Sequence, residues 1–136
     1  MLKLHALDLD DLQVISAHMQ DALVRRADMQ FLRKKRQFVF AANRFGWEAL
    51  PQNIRHRTGL HFEHVLSVKH TGFASVGPDS ILSLLSIGFA ETAKPAGIVM
   101  LQFAAGPTLS LEVEYLDAAM KDFGTQWTAS TRPQHD

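Results

Sequence analysis

The sequence contains no cysteine. That absence excludes disulfide bonds, thiolate metal sites, iron–sulfur clusters and any cysteine nucleophile. No apolar run is long enough to span a membrane, and the first residues lack the basic and then apolar segments of a signal peptide. The sequence therefore predicts a cytoplasmic protein with no membrane span.

The net charge is zero, but the charges are distributed unevenly along the chain. Residues 22–70 carry ten Lys and Arg against three acidic residues, a net charge of +7. The flanks, residues 1–21 and 71–136, carry −3 and −4. Four of the seven histidines also lie in the middle segment, which becomes more positive as the pH falls through about 6.5. The middle segment is the candidate surface for an anionic partner.

Helical spacing of apolar residues occurs near both ends of the chain. Asp8 is a typical helix N-cap, and the apolar residues after it predict a helix over residues 9–20. A second helix is predicted near the C-terminus, ended by Gly124 as a C′ residue; its apolar face would consist of Leu116, Ala119, Met120 and Phe123. Residues from about 125 to 136 are polar apart from Trp127 and predict a flexible tail.

Between these helices, apolar stretches predict about six or seven strands. The clearest alternation runs from residue 58 to 69, with Phe62 and Leu66 facing the core. Short turns favour antiparallel pairing. The predicted fold is therefore a single α+β domain over residues 1–136: a twisted antiparallel sheet, open or barrel-like, with an N-terminal and a C-terminal helix. The predicted core residues are Leu12, Ile15, Met19, Phe38, Phe40, Leu60, Phe62, Leu66, Leu85, Ile87, Val99, Leu101, Leu111, Val113, Leu116 and Met120.

The run Arg33-Lys34-Lys35-Arg36 is too charged for a central strand and predicts a hairpin turn. One interpretation is a solvated turn that protects the sheet from edge pairing. The other is a phosphate-contacting tip, whose binding would be strongly salt-dependent. The candidate residues for binding an anion or a partner are Arg25, Arg26, Arg33, Lys34, Lys35, Arg36 and Arg44.

His61 and Glu63 are two residues apart, so on a strand they share a face. They could supply two ligands of a metal site, with His56 or His70 as a third, but the spacing matches no known zinc pattern. No G-x-S-x-G elbow and no phosphate-binding glycine loop is present. We therefore expect no metal and no cofactor.

Three segments carry a resemblance to a known family. They are residues 7–22 (LDLDDLQVISAHMQDA), residues 36–45 (RQFVFAANRF) with Trp47-Glu48, and residues 111–118 (LEVEYLDA). Together they resemble a bacterial family of unknown function, the one numbered 2948, over most of the chain up to about Gly124. The resemblance implies a cytoplasmic bacterial protein and transfers no catalytic motif. A meander of short antiparallel strands followed by one helix is also similar to pleckstrin-homology-like barrels.

The sequence favours a non-catalytic binding or assembly module with a basic central surface. Its partner would be an acidic protein or a second copy of the chain in a homo-oligomer, because the basic middle complements the acidic flanks. Two alternatives stay open. One is nucleic-acid binding through the Arg33–Arg36 tip, and the other is a small enzyme that uses His61 and Glu63.

Overall fold

The computed structural model describes residues 2–123, the backbone of residues 127–128, and residue 133. The described residues form a largely antiparallel β structure with one α-helix, α1, at Leu9–Met19. The strands are β1 (Lys3–Ala6), β2 (Leu23–Arg25), β3 (Met29–Leu32), β4 (Gln37–Phe45), β5 (Ile54–Phe62), β6 (Val65–Thr71), β7 (Ile81–Glu91), β8 (Gly97–Phe103), β9 (Thr108–Val113), β10 (Ala118–Asp122) and β11 (Trp127–Thr128).

The strands form one continuous hydrogen-bonded path in the order β1-β10-β5-β4-β2-β7-β8-β9-β6. β3 pairs with β4 beside β2, and β11 pairs with β5. The longest pairing joins β4 to β5, from Phe38 opposite Phe62 to Phe45 opposite Arg55. Because side chains alternate across a strand, this register places Phe40 and Leu60 in the core and their neighbours on the opposite face.

The N-terminal helix confirms the prediction for residues 9–20. Asp8 is its N-cap, and its carboxylate accepts a hydrogen bond from the backbone N–H of Asp11 at 2.9 Å. Leu12, Ile15 and Met19 are fully buried, so one stripe of the helix packs against the sheet.

The basic run forms the predicted hairpin turn between β3 and β4. Leu32 pairs with Gln37, and Arg33–Lys35 form a single 3₁₀ turn between them. Arg36 closes the turn in the left-handed conformation, with φ of 50°.

The predicted C-terminal helix is wrong, because this segment forms strand β10. Ala118, Met120 and Asp122 are buried in alternation, and β10 pairs with β1 on one side and β5 on the other. The buried acid at position 122 concealed this alternation, since a carboxylate is rarely expected on a core face. Gly124, the predicted helix terminus, lies outside the described residues, as does most of the predicted tail.

The number of strands is a second correction. The predicted α+β domain had six or seven strands and two helices, whereas the described residues contain eleven strands and one α-helix. The stretch from 58 to 69 is not one strand but the end of β5 and most of β6, separated at His64, which has φ of 58°. Long antiparallel pairings therefore dominate the fold.

Two predicted core residues are exposed, and both lie at irregularities in the sheet. Leu66 is 43% exposed and sits where the register of β6 with β9 shifts between Val65 and Ser67. Leu85 is also 43% exposed and sits at a similar shift between Leu84 and Ser86. A bulge inserts one residue and reverses the alternation beyond it. The other predicted core residues are buried.

Candidate functional site

The outer face of the sheet, opposite the core, carries small side chains where β4 and β5 pair. Val39 lies opposite His61, and Ala41 lies opposite Gly59. A glycine beside an alanine leaves this face concave. The groove has a volume of about 530 Å³, within the range of roughly 300–1,000 Å³ found for small-ligand pockets. We call it the outer groove; its lining residues come from β3, β4, β5, β10 and the turn before β3, and are Ala27, Asp28, Gln30, Val39, Phe40, Ala41, Gly59, Leu60, His61, Lys121 and Phe123.

Phe123 forms one wall of the outer groove. A Cβ atom added at Gly59 would lie 3.2 Å from Cε1 of the Phe123 ring, so the ring covers the glycine closely. The backbone N–H of Phe123 donates to the carbonyl of Arg57 at 2.7 Å, which fixes the start of this side chain. Since Phe123 is 42% exposed, it presents an apolar surface to whatever enters the groove.

Asp28 lies at the opposite rim, between two arginines. Its carboxylate accepts a hydrogen bond from Arg25 at 3.2 Å and lies 3.6 Å from Nη2 of Arg57. The hydrogen bond to Asp28 raises the pKa of Arg25. Arg57 also donates to the side chain of Asn43 at 3.0 Å. A neighbouring hollow of about 430 Å³ continues from Asp28 past these arginines. Arg25 also lies 3.7 Å from Asp79, so each arginine at this rim has a carboxylate partner.

The sequence-predicted pair His61 and Glu63 lies at the edge of the outer groove. Nδ1 of His61 is 3.6 Å from Oε1 of Glu63, and it has no hydrogen-bond partner among the described residues. Glu63 instead accepts a hydrogen bond from Gln37 at 2.9 Å. His56 and His70, the predicted third ligands, lie elsewhere: His56 is buried beside β10, and His70 is on β6. The structure therefore places His61 beside Glu63, and it brings no third ligand to them from the residues that it describes.

A buried ion-pair network lies on the core side of β4, β5 and β10. Arg44 is fully buried, and its guanidinium donates to both carboxylate oxygens of Asp122, at 2.8 and 2.6 Å. It donates equally to Glu48, at 2.9 and 2.7 Å. Asp122 also accepts from the hydroxyl of Thr58 at 2.6 Å and from the backbone N–H of Leu2 at 3.2 Å. The network ties the loop after β4 and the N-terminal segment to β10.

The charges of this network stabilise one another. Burial opposes ionisation of Asp122, but the hydrogen bonds from Arg44 and Thr58 lower the pKa of its carboxyl to about 2. The hydrogen bond from Arg44 lowers the pKa of Glu48 to about 2 as well, against a smaller effect of burial. Burial lowers the pKa of Arg44, yet its two carboxylate partners outweigh burial and the pKa is raised. All three groups are charged at neutral pH.

One group of three ligand-type side chains within the described residues is compact enough to surround a metal ion: Glu48, His56 and Asp122. The guanidinium of Arg44, however, is hydrogen-bonded to both acids of the group. A permanently charged guanidinium repels a cation and occupies the carboxylate lone pairs. The group is therefore an ion-pair network rather than a candidate metal centre.

The predicted basic residues do not form one continuous free surface. Arg44 is buried in the network just described. Arg26 lies over the ring of Phe73, 5.6 Å from its centroid, and is close to His70. Burial and the neighbouring Arg26 lower the pKa of His70. Arg36 donates to Glu114 at 2.7 Å.

The hairpin tip retains three cations without a carboxylate partner among the described residues. Lys34 and Lys35 are exposed, and Arg33 lies 5.1 Å from the centroid of the Phe31 ring. The tip therefore presents its charges to solvent. Both interpretations of the basic run, a solvated turn that prevents edge pairing and a phosphate-contacting tip, require this exposure.

Sequence reasoning missed the residues that form the outer groove. Ala41 and Gly59 stand at outward strand positions, where polar residues are usual. An outward glycine inside a strand is typical of close approach by another group, and here that group is Phe123. Lys121 was assigned to a helix, which hid its place on the same sheet face.

These features define the class of this protein: a mainly antiparallel β domain with one helix over the core and a ligand-sized groove on the outer sheet face. The chain belongs to DUF2948, the family described as "Protein of unknown function", whose model matches residues 2–135. This confirms the resemblance found in the sequence. No curated protein and no solved structure shows significant similarity to the chain, so the likeness to pleckstrin-homology-like barrels finds no support. None of the described helices has the length and apolar character needed to cross a bilayer.

Proposed function

We propose that this protein is a non-catalytic binding module that holds a small organic molecule in the outer groove. The observation that carries the proposal is the hollow beside Ala41, which is bounded by His61 and by the Phe123 ring that lies over Gly59. Its volume suits a small ligand, and its lining is mostly apolar with a few polar groups at the rim.

The lining indicates what kind of molecule would fit. The small floor side chains and the Phe123 ring favour a flat apolar body, since aromatic groups stack well against an exposed ring. Gln30 and His61 at the margins offer hydrogen-bonding groups that can orient the ligand.

The test uses N-phenyl-1-naphthylamine, a neutral aromatic probe whose fluorescence rises in an apolar site. The wild type should bind it, and Ala41→Leu should weaken binding about tenfold because the added side chain fills the groove floor. Ala90→Leu makes the same change at an exposed position of β7 outside the groove and should bind like the wild type. Equal binding by all three proteins, or no binding by the wild type, would contradict the proposal. Chemical conversion of a bound ligand would contradict the proposal that the module is non-catalytic.

A second candidate function is recognition of an anionic partner by the hairpin tip. It is supported by the exposure of Lys34 and Lys35 and by their lack of a carboxylate partner among the described residues. An acidic protein or a second copy of the chain is the predicted partner, and nucleic acid is the alternative. Sedimentation of the wild type and of Lys34→Gln/Lys35→Gln, each with and without duplex DNA or RNA, separates these outcomes. Cytoplasmic location and bacterial origin stay predictions from the sequence.

A further inference from the structure

We infer that the ligand of the outer groove is an anionic amphiphile whose negative group binds between Lys3 and Lys121. The inference rests on the proposed function and specifies the ligand class. In the register of four neighbouring strands, Ala41 lies opposite Gly59, Gly59 lies opposite Lys121, and Lys121 lies opposite Lys3. These four residues form one cross-strand row on the outer face, with two small residues at one end and two lysines at the other.

The lysine pair is unusual in its own right. Lys3 and Lys121 are directly opposite in the pairing of β1 with β10, and both are exposed. Like charges placed opposite each other destabilise a sheet. Among the described residues, neither lysine has a carboxylate within salt-bridge distance. A bound anion would relieve this repulsion and would be attracted by both ammonium groups.

Two arginines of this face already have carboxylate partners. Arg57 lies 3.6 Å from Asp28, and Arg25 donates to the same carboxylate. On β1, Nε2 of His5 lies 2.6 Å from Asp117. Positive charge is thus unmatched at one end of the groove, where the row of small residues meets the lysines.

The dimensions of the row set the size of the ligand. Adjacent strands are about 4.8 Å apart, so the row from β4 to β1 spans about 14 Å. A body of two or three fused or linked rings, or a short aliphatic chain, would lie over Ala41 and against the Phe123 ring that covers Gly59. Its carboxylate, sulfonate or phosphate would then reach Lys121. Neutral and cationic molecules of the same shape would lack this contact.

The experiment uses two probes with the same aromatic body. 8-Anilinonaphthalene-1-sulfonate carries a sulfonate, and N-phenyl-1-naphthylamine lacks it. We expect Lys3→Gln/Lys121→Gln to weaken binding of the sulfonate about tenfold and to leave binding of the neutral probe within twofold. In the wild type, added salt should weaken binding of the sulfonate more than that of the neutral probe.

The matched control is Lys34→Gln/Lys35→Gln, which also removes two positive charges, but at the hairpin tip. It should bind both probes as the wild type does. The inference would be overturned if Lys3→Gln/Lys121→Gln bound the sulfonate as tightly as the wild type. An equal loss of sulfonate affinity in the control would overturn it too. Binding of the neutral probe tests the groove separately. If Ala41→Leu does not weaken the neutral probe, the groove itself is refuted and the proposed function fails with it.

Discussion

Replacing Arg44 by methionine should destabilise the fold strongly. Arg44 is fully buried and makes four hydrogen bonds to the carboxylates of Asp122 and Glu48. Methionine fills much of the same space without a charge. The substitution leaves Asp122 almost completely buried, and among the described residues its remaining hydrogen-bond donors are the hydroxyl of Thr58 and the backbone N–H of Leu2.

The expected loss is about 3–5 kcal/mol, the usual cost of removing one partner from a buried ion pair. Typical domains have unfolding free energies of about 5–15 kcal/mol, so the variant would retain a fraction of its stability. Glu48 contributes less to the loss because its side chain is 37% exposed and water replaces part of the interaction. Asp122 accounts for most of the effect.

Urea unfolding at several pH values is the assay, and the pH dependence identifies the cause. Once Arg44 is absent, burial is the largest remaining effect on Asp122, and the hydrogen bonds from Thr58 and Leu2 oppose it, so we expect the pKa of Asp122 to rise above its ordinary value. The folded variant then binds more protons than the unfolded chain, so its stability should increase as the pH falls from 7 to 5. The wild type should show no such increase, because the pKa of Asp122 in its folded state is lowered to about 2.

Two further variants make the result decisive. Arg44→Met/Asp122→Asn removes both charges and should recover much of the loss, since no unpaired charge remains buried. Arg36→Met removes an exposed arginine paired with Glu114 and should cost less than about 1 kcal/mol. An Arg44→Met variant that loses no more than the Arg36 control, or that lacks the opposite pH slope, would refute this account of the network.

Three other predictions follow from the same structure. Phe62→Ala should cost about 3–5 kcal/mol in urea unfolding because the side chain is buried, whereas Leu66→Ala should cost much less because that side chain is 43% exposed; equal losses would contradict the placement of Phe62 in the core and Leu66 at the surface. Wild-type stability should decline mainly between about pH 5 and about pH 2, because lowered carboxyl pKa values favour the folded state only while the acids are ionised. The lowered pKa of His70 adds a smaller decline below about pH 6.5, and a loss of stability that is complete above pH 5 would contradict this prediction. Lys34→Gln/Lys35→Gln should leave the melting temperature nearly unchanged, since both side chains are exposed.

The sequence predicted elements whose residues follow one local rule. Asp8 and the apolar residues after it sufficed for the helix because capping and helical spacing act over a few residues. The basic turn was predictable for the same reason, since four consecutive charges cannot be central in a sheet. Phe62 and Leu60 were assigned to the core from simple alternation, and both are buried.

The failures occurred where a distant residue determines the local structure. Asp122 lies on a core face only because Arg44, 78 positions away, neutralises it. Without knowledge of that contact, the apolar residues in and around β10 have the spacing typical of a helix. Leu66 and Leu85 lie at bulges, whose positions depend on the partner strand. The outer groove was missed because its row joins the consecutive strands β4 and β5 to β10 and β1, which lie far from them in the sequence.

Chemical-shift mapping of the protein with 8-anilinonaphthalene-1-sulfonate tests the central claim most directly. We predict that the largest amide shift changes occur along the row at Ala41, Gly59 and Lys121, and that they disappear in Ala41→Leu. Changes concentrated instead at the cleft that Leu9 and Tyr115 help to line would place binding elsewhere. That result would contradict the assignment of the outer groove as the ligand site.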